Sequence, residues 1–133
     1  TNVYDVEAVS RQKYPSNEVQ ESKTEYRYVF TTKDNLKYRV MLMIRENGWA
    51  RIDFDVIGSG IFSDLELINK YDSIKVFNTI KTILDKHKSE INTLVIHSTE
   101  ERNMFYKKLL KYMNIPYDDS NSRTMLKRIL KCF

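Results

Sequence analysis

The feature that most constrains the fold is a set of three segments in which apolar or aromatic residues alternate with polar ones. The segments are TEYRYVFTT (24–32), LKYRVMLMIR (36–45) and WARIDFDVI (49–57). A period of two, with many β-branched and aromatic residues, predicts strands buried on one face. The connections KDN and ENG are short, and Asn and Gly tolerate the positive φ of tight hairpins. The sequence therefore predicts an antiparallel three-strand meander.

A helix and a further strand are expected after the meander. Asp72 or Ser73 can cap a helix that runs to about Ser89, because apolar residues recur at three- and four-residue steps over 76–84. The segment NTLVIH (92–97) is too short for a helix and apolar enough for the interior of a sheet. This part of the chain therefore predicts a helix followed by a buried strand.

Two more helices are expected towards the C-terminus. Ser98 and Glu101 have the spacing of a capping box, which predicts a helix to about Met113. The segment NIPYDDSNS ends that helix, because Pro, Asn, Asp and Ser favour turns. A short amphipathic helix is then predicted within 121–133.

The whole chain is expected to be one α+β domain. A length of 133 residues is sufficient for one hydrophobic core, so residues 1–133 are taken as a single domain. Residues 10–23 are polar, contain Pro15 and lack a period, which predicts a loop or mobile arm. The expected architecture is a three-strand meander, then helix, strand and helix, then a short C-terminal helix.

Composition narrows the functional classes. A single cysteine, Cys132, excludes an internal disulfide framework and a zinc site built on thiolates. The chain has 22 basic and 18 acidic residues, and this formal charge of +4 keeps a nucleic-acid role open. No apolar run has the length of a membrane span, and TNVYDVEAVS lacks the pattern of a secretory signal. We therefore expect an intracellular protein without a membrane span.

The predicted order of elements resembles the core of the GCN5-related N-acetyltransferases. In that family the second helix commonly carries an Asn, a Tyr and a Lys, and the Tyr can protonate the thiolate of coenzyme A. Asn103, Tyr106 and Lys108 in RNMFYKKLLKYM can be aligned with this pattern. The family binds pyrophosphate at a Gly-rich turn that opens the first long helix, whereas this chain has NKYDSIKVFNTI, without glycine and with Asp72. The resemblance implies an acetyltransferase-like topology, and we predict no cofactor and no catalytic residues.

A second resemblance covers about residues 24–113. It is to small, uncharacterised domains often encoded by bacteriophages, in which a strand with Trp precedes a VF-x-T helix, a strand and an R-x-x-x-Y helix. The matching positions in this chain are Trp49, Val76, Phe77, Thr79, Arg102 and Tyr106. The resemblance implies a phage origin, with the protein in the host cytoplasm or in a virion.

Two further constellations suggest chemistry. His87 and His97 each precede a hydroxyl residue by two positions, which resembles the motifs of two-histidine phosphoesterases. They are only ten residues apart and His87 has a helical pattern, so we expect His87 at a helix end and His97 at the end of a strand. Asp53 and Asp55 share a strand face and could bind magnesium, but a solvated face beside Arg51 is the expected arrangement.

The meander also carries aromatic and basic residues that could bind nucleic acid. Its aromatic residues could stack on bases while its basic residues contact phosphates. Packing of these aromatics in the core is the alternative. The residues concerned are Tyr26, Tyr28, Tyr38 and Trp49, with Arg27, Lys37, Arg39 and Arg51.

The predicted C-terminal helix is the candidate binding surface. Its apolar stripe could close the domain's own core or dock on a groove or a second subunit. We predict a non-enzymatic, phage-type binding protein that acts by protein–protein contact, as a virion component or as an inhibitor of a host factor. Acetyl-coenzyme A-dependent transfer and weak nucleic-acid binding are the alternatives, and homo-oligomerisation stays open. The predicted partner-binding residues are Arg123, Met125, Leu126, Lys127, Arg128, Ile129, Leu130, Lys131 and Phe133.

Overall fold

A computed structural model of the chain describes residues 2–32, 35–57, 73–97, 100–115 and 125–129. Within these residues there are six strands and two helices, which confirms the α+β class. The strands are β1 (Glu7–Tyr14), β2 (Lys23–Thr31), β3 (Lys37–Arg45), β4 (Trp49–Ile57), β5 (Thr93–His97) and β6 (Met125–Ile129). The helices are α1 (Ser73–Lys86) and α2 (Glu100–Tyr112).

The predicted meander is confirmed. Strands β2, β3 and β4 match the three predicted segments to within one residue at each end. The hairpin connections contain the positive φ angles expected of them, 61° at Asn35 and 90° at Gly48. At Gly48 a Cβ atom would lie 2.3 Å from Nδ2 of Asn92, so the close approach of the backbone also requires glycine.

The described strands form one sheet in the order of the chain, from β1 to β6. From β1 to β4 each strand pairs antiparallel with the next, and β5 pairs parallel with β4. A parallel pair needs a crossover, and α1 lies between these two strands in the chain. The predicted helix–strand–helix order is confirmed in α1, β5 and α2, although α1 ends at Lys86 and not at Ser89.

Part of the predicted 10–23 loop is wrong. Residues 10–14 belong to β1, which pairs with β2 and contains an irregularity between Ala8 and Ser10. Most of β1 is exposed, so its side chains can be polar while its backbone still bonds to β2. The remainder of the segment contains a turn in which the Asn17 side chain accepts bonds from the backbone N–H groups of Val19 and Gln20, both at 2.8 Å.

The predicted C-terminal helix is also wrong where the structure describes it. Residues 125–129 form β6, which pairs antiparallel with β5, and residues 121–124 and 130–133 lie outside the described residues. The unpaired edge of β5 offers hydrogen bonds that a local sequence pattern does not register. Tertiary pairing therefore overrides the helical spacing of Met125, Leu126 and Ile129.

Both helices pack on the same face of the sheet. The apolar residues of α1 and α2 form one core cluster with the even-numbered residues of β2, β3 and β4. Aromatic rings run through this core in contact with one another. Their ring centroids are separated by 5.1 Å for Phe30–Tyr38, 5.4 Å for Tyr38–Phe54, 4.9 Å for Phe54–Phe105 and 5.5 Å for Phe105–Phe77.

The segment before β1 extends the core. Tyr4 stacks on Phe30 with a centroid distance of 5.7 Å, and its backbone N–H donates to the Thr79 hydroxyl at 2.9 Å. The Thr79 hydroxyl donates in turn to the carbonyl oxygen of Lys75, so this buried polar group is satisfied. These contacts attach the segment to α1.

Candidate functional site

The sheet has two chemically different faces. Along β2, β3 and β4 the even-numbered side chains face the helices, and the odd-numbered side chains face a side that neither described helix covers. We call the odd-numbered residues of these three strands the open face. The open face consists of Lys23, Glu25, Arg27, Val29, Thr31, Lys37, Arg39, Met41, Met43, Arg45, Trp49, Arg51, Asp53, Asp55 and Ile57.

Every carboxylate of the open face has an arginine partner. Within 4.0 Å, the ion-pair limit, Arg39 contacts Asp55 at 2.8 Å, Arg51 contacts Asp53 at 3.2 Å, and Arg27 contacts Glu25 at 3.7 Å. These groups are partly exposed, so each pair contributes at most about 1 kcal/mol to stability. The face has six basic and three acidic side chains, which gives an excess of three positive charges.

The middle and one end of the open face carry apolar side chains among the arginines. Met41, Met43 and Trp49 are partly exposed there. The guanidinium carbon of Arg45 lies 4.1 Å from the centroid of the Trp49 ring, which is a cation–π contact. Methionine, tryptophan and arginine are enriched at the centres of protein–protein interfaces.

The tyrosines considered for base stacking lie on the other face. Tyr28 and Tyr38 are buried and Tyr26 packs against the core from the side of the helices. Of the four aromatic residues considered, only Trp49 shares a face with the arginines. The core-packing alternative is therefore confirmed for the three tyrosines.

His87 lies in a buried hydrogen-bonded cluster directly after α1. Its Nε2 lies 2.5 Å from the Tyr28 hydroxyl and its Nδ1 lies 2.8 Å from a Glu90 carboxylate oxygen. The Glu90 carboxylate accepts the hydrogen bond from Nδ1–H, and the Tyr28 hydroxyl can either donate to Nε2 or accept from it. Burial, followed by the neighbouring Tyr26 and Glu90, raises the pKa of the Tyr28 hydroxyl above its ordinary value of 10.0.

The hydrogen bonds that join Tyr28, His87 and Glu90 have the connectivity of a proton relay. The burial of His87, however, is typical of a residue with a structural role. His87 is 6% exposed, and both of its ring nitrogens have partners within the protein. It sits at a helix end as predicted, yet packed inside the molecule. The side chains of His97 and Thr99 are outside the described residues, so the two-histidine motif is not tested.

The residues expected from the acetyltransferase resemblance do not assemble into a described site. Tyr106 is 1% exposed and belongs to the core, whereas Lys108 is exposed. A general acid must reach its substrate, and the burial of Tyr106 opposes that role. Asp72 and the side chain of Asn103 lie outside the described residues.

Asp53 and Asp55, considered as a magnesium pair, each bind an arginine. Among the described residues no group of three His, Cys, Asp or Glu side chains is arranged to hold a metal ion. Within the same part of the chain, no helix is both long and apolar enough to cross a membrane.

The predicted partner-binding residues fall partly on β6 and partly outside the described residues. Residues 125–129 form β6, and Arg123, Leu130, Lys131 and Phe133 lie outside the described residues. The pairing of β6 with β5 aligns Lys127 with Val95, which is the position next to Arg51 of the open face.

The described residues define an α+β domain whose sheet has helices on one face and no described helix on the other. No protein-family model matches this chain, and comparison with curated proteins and with solved structures found no match either. Met41, Met43 and Arg45 were not singled out from the sequence. The signal was present, because the alternation in LKYRVMLMIR already separates these residues from the core positions.

Proposed function

We propose that this protein acts by binding another protein through the open face of its sheet. The observation that carries the proposal is the grouping of Met41, Met43 and Trp49 among arginines on a face that neither described helix covers. Methionine adapts its shape to a partner, and Trp and Arg supply a large share of binding energy at interfaces. A non-enzymatic role by protein–protein contact, as expected from the sequence, has this physical support.

The charges of the open face favour a protein partner over nucleic acid. Glu25, Asp53 and Asp55 are interleaved with the basic residues and would repel a phosphate backbone. A protein can match such an alternating pattern with its own acidic and basic groups. Acetyl transfer is the weaker alternative, since its support is the order of elements and the burial of Tyr106 opposes it.

The resemblance of residues 24–113 to phage-encoded domains supports the proposal that this binding takes place in an infected cell or in a virion. In that setting the partner is a host factor that the protein occupies or another component of a virion. A phage-infected cell extract is therefore the first place to search for it.

The experiment compares partner capture by variants of opposite sides of the molecule. The immobilised protein is incubated with infected-cell extract, and retained proteins are identified by mass spectrometry. Met41→Gln and Trp49→Ser should each reduce retention of the specific partner at least about fivefold, as expected for a contact of roughly 1 kcal/mol or more. The control is Ile74→Gln, which removes a 53% exposed apolar side chain from the helix side.

A cooperative unfolding transition in urea, with the folded form predominant without urea, establishes that each variant remains folded. Retention unchanged by both open-face substitutions would remove the open face as the binding surface. The same conclusion follows if Ile74→Gln reduces retention as strongly as the open-face variants do.

A further inference from the structure

We propose that Lys23 and Arg45 anchor a carboxylate of an acidic segment of the partner protein. This inference rests on the proposed protein-binding function and specifies the chemistry of the partner at one end of the open face. Its basis is a pair of adjacent cations that the described part of the molecule leaves unneutralised.

Lys23 and Arg45 are direct cross-strand neighbours in the register of β2 and β3. Side chains at such positions on one face have Cβ atoms about 5 Å apart, and like charges placed there are destabilising. Among the described side chains, neither cation has a carboxylate within the 4.0 Å limit of an ion pair. The adjacent Glu25 is engaged elsewhere, since it pairs with Arg27 and accepts a bond from the Tyr14 hydroxyl at 3.3 Å.

Aromatic rings hold the two cations in place. Nζ of Lys23 lies 5.3 Å from the centroid of the Tyr14 ring, and Arg45 stacks on Trp49. A cation–π contact orients a positive group without cancelling its charge. Both groups therefore stay able to attract an anion.

A cavity beside the pair can receive a side chain. Its volume is about 260 Å³, and Lys23, Arg45 and Met43 line one wall. The other wall is the segment 19–21, in which Val19 is 89% exposed above the turn at Asn17. A larger cavity of about 410 Å³ borders the same two cations, but Glu46 and Glu90 also line it.

The lining of the smaller cavity indicates what kind of anion fits. Met43 and Val19 give it apolar walls beside the two cations. A glutamate or aspartate flanked by apolar residues satisfies both, because the carboxylate meets the cations and the neighbours pack on the apolar walls. Glu21 also lines this cavity, so the lining has two cations and one acidic side chain. This excess of one positive charge can match a single carboxylate, whereas a polyphosphate with several negative charges is opposed more strongly by Glu21.

The test uses a fluorescent synthetic peptide in which glutamate and leucine alternate. The comparison probes are the same peptide with glutamine in place of glutamate, and an oligothymidylate of equal length. Fluorescence anisotropy should show that the acidic peptide binds, and that Lys23→Glu and Arg45→Glu each weaken it about tenfold, in line with a charged hydrogen bond. Lys81→Glu makes the same change of charge at an exposed position of α1 and should alter affinity less than about twofold, because α1 packs on the other face of the sheet from the pair.

Three results would overturn the anchor: equal binding of the glutamine peptide, an equal loss with Lys81→Glu, or tighter binding of oligothymidylate. Absence of binding by the acidic peptide would also overturn it. Retention of the partner protein by the variants distinguishes failure of the anchor from failure of the proposed protein-binding function. If Met41→Gln abolishes retention while Lys23→Glu and Arg45→Glu do not, the open face stands and the anchor fails.

Discussion

Among individual residues, His87 shows how a polar group is accommodated in this core. Burial of an imidazole without partners is costly, and here the Tyr28 hydroxyl and the Glu90 carboxylate satisfy its two nitrogens. The sequence indicated a helix end for His87 but not its burial. The reason is that its partner Tyr28 lies on β2, far away in the chain, and no local pattern reports such a contact.

Replacement of Tyr28 by phenylalanine should therefore lower the free energy of unfolding by about 1–3 kcal/mol near pH 7, because a buried ring nitrogen loses its partner. Urea unfolding measures the change. Tyr112→Phe is the matched control, since it removes a hydroxyl that donates to Asn78 at an exposed site. If both substitutions lower the free energy of unfolding by the same amount, the contact between Tyr28 and His87 does not stabilise the protein.

The pH dependence of the same variant follows from the raised pKa of Tyr28. The folded protein retains this proton at pH values where the unfolded chain has lost it, so the stabilisation is fully present below pH 10.0 and is lost as pH rises through the folded-state pKa. The difference in unfolding free energy between the original protein and Tyr28→Phe should accordingly shrink above pH 10.0. A constant difference would contradict the raised pKa.

At the scale of elements, the sequence predicted those strands and helices that carry a strong period. Strands β2, β3 and β4 alternate clearly, and α1 has a continuous apolar stripe. In the outer strands, residues 10–14 of β1 were predicted as loop and residues 125–129 of β6 as helix, because these strands are defined by pairing with a neighbour and not by a pattern of their own. In β1 the mostly exposed side chains are free to be polar, and in β6 pairing with β5 overrides a helix-like spacing.

The strand assignment of β6 predicts a specific effect on β5. Proline at Lys127 removes a backbone N–H and disrupts pairing, so amides of 93–97 that face β6 should exchange hydrogen faster in Lys127→Pro. Hydrogen exchange followed by NMR measures this, with the amides of β3 as the internal control. A helix docked elsewhere would leave the exchange of β5 unchanged.

At the scale of the whole molecule, one face of the sheet packs in the core and the other is the proposed binding surface. Residues that alternate along one strand have different surroundings, since one set packs in the core and the other lies, partly or fully exposed, on the face that neither described helix covers. This alternation could be read from the sequence, but the surface proposed here for binding could not. The chain's helix-like C-terminal pattern drew attention to 121–133, whereas the grouping of Met41, Met43 and Trp49 exists only once the register of β3 and β4 is known.

Substitutions on the core face should therefore lower the free energy of unfolding strongly, whereas substitutions on the open face should mainly reduce partner retention. Phe54→Ala removes a ring that contacts Tyr38 and Phe105 in the core and should lower the free energy of unfolding by about 3–5 kcal/mol. Met41→Gln, on the adjacent strand but on the open face, should cost about 1 kcal/mol or less while reducing partner retention. Urea unfolding of both variants gives the comparison. A cost for Met41→Gln close to that for Phe54→Ala would mean that the face is packed inside the folded protein, and no partner could then reach the proposed recognition surface.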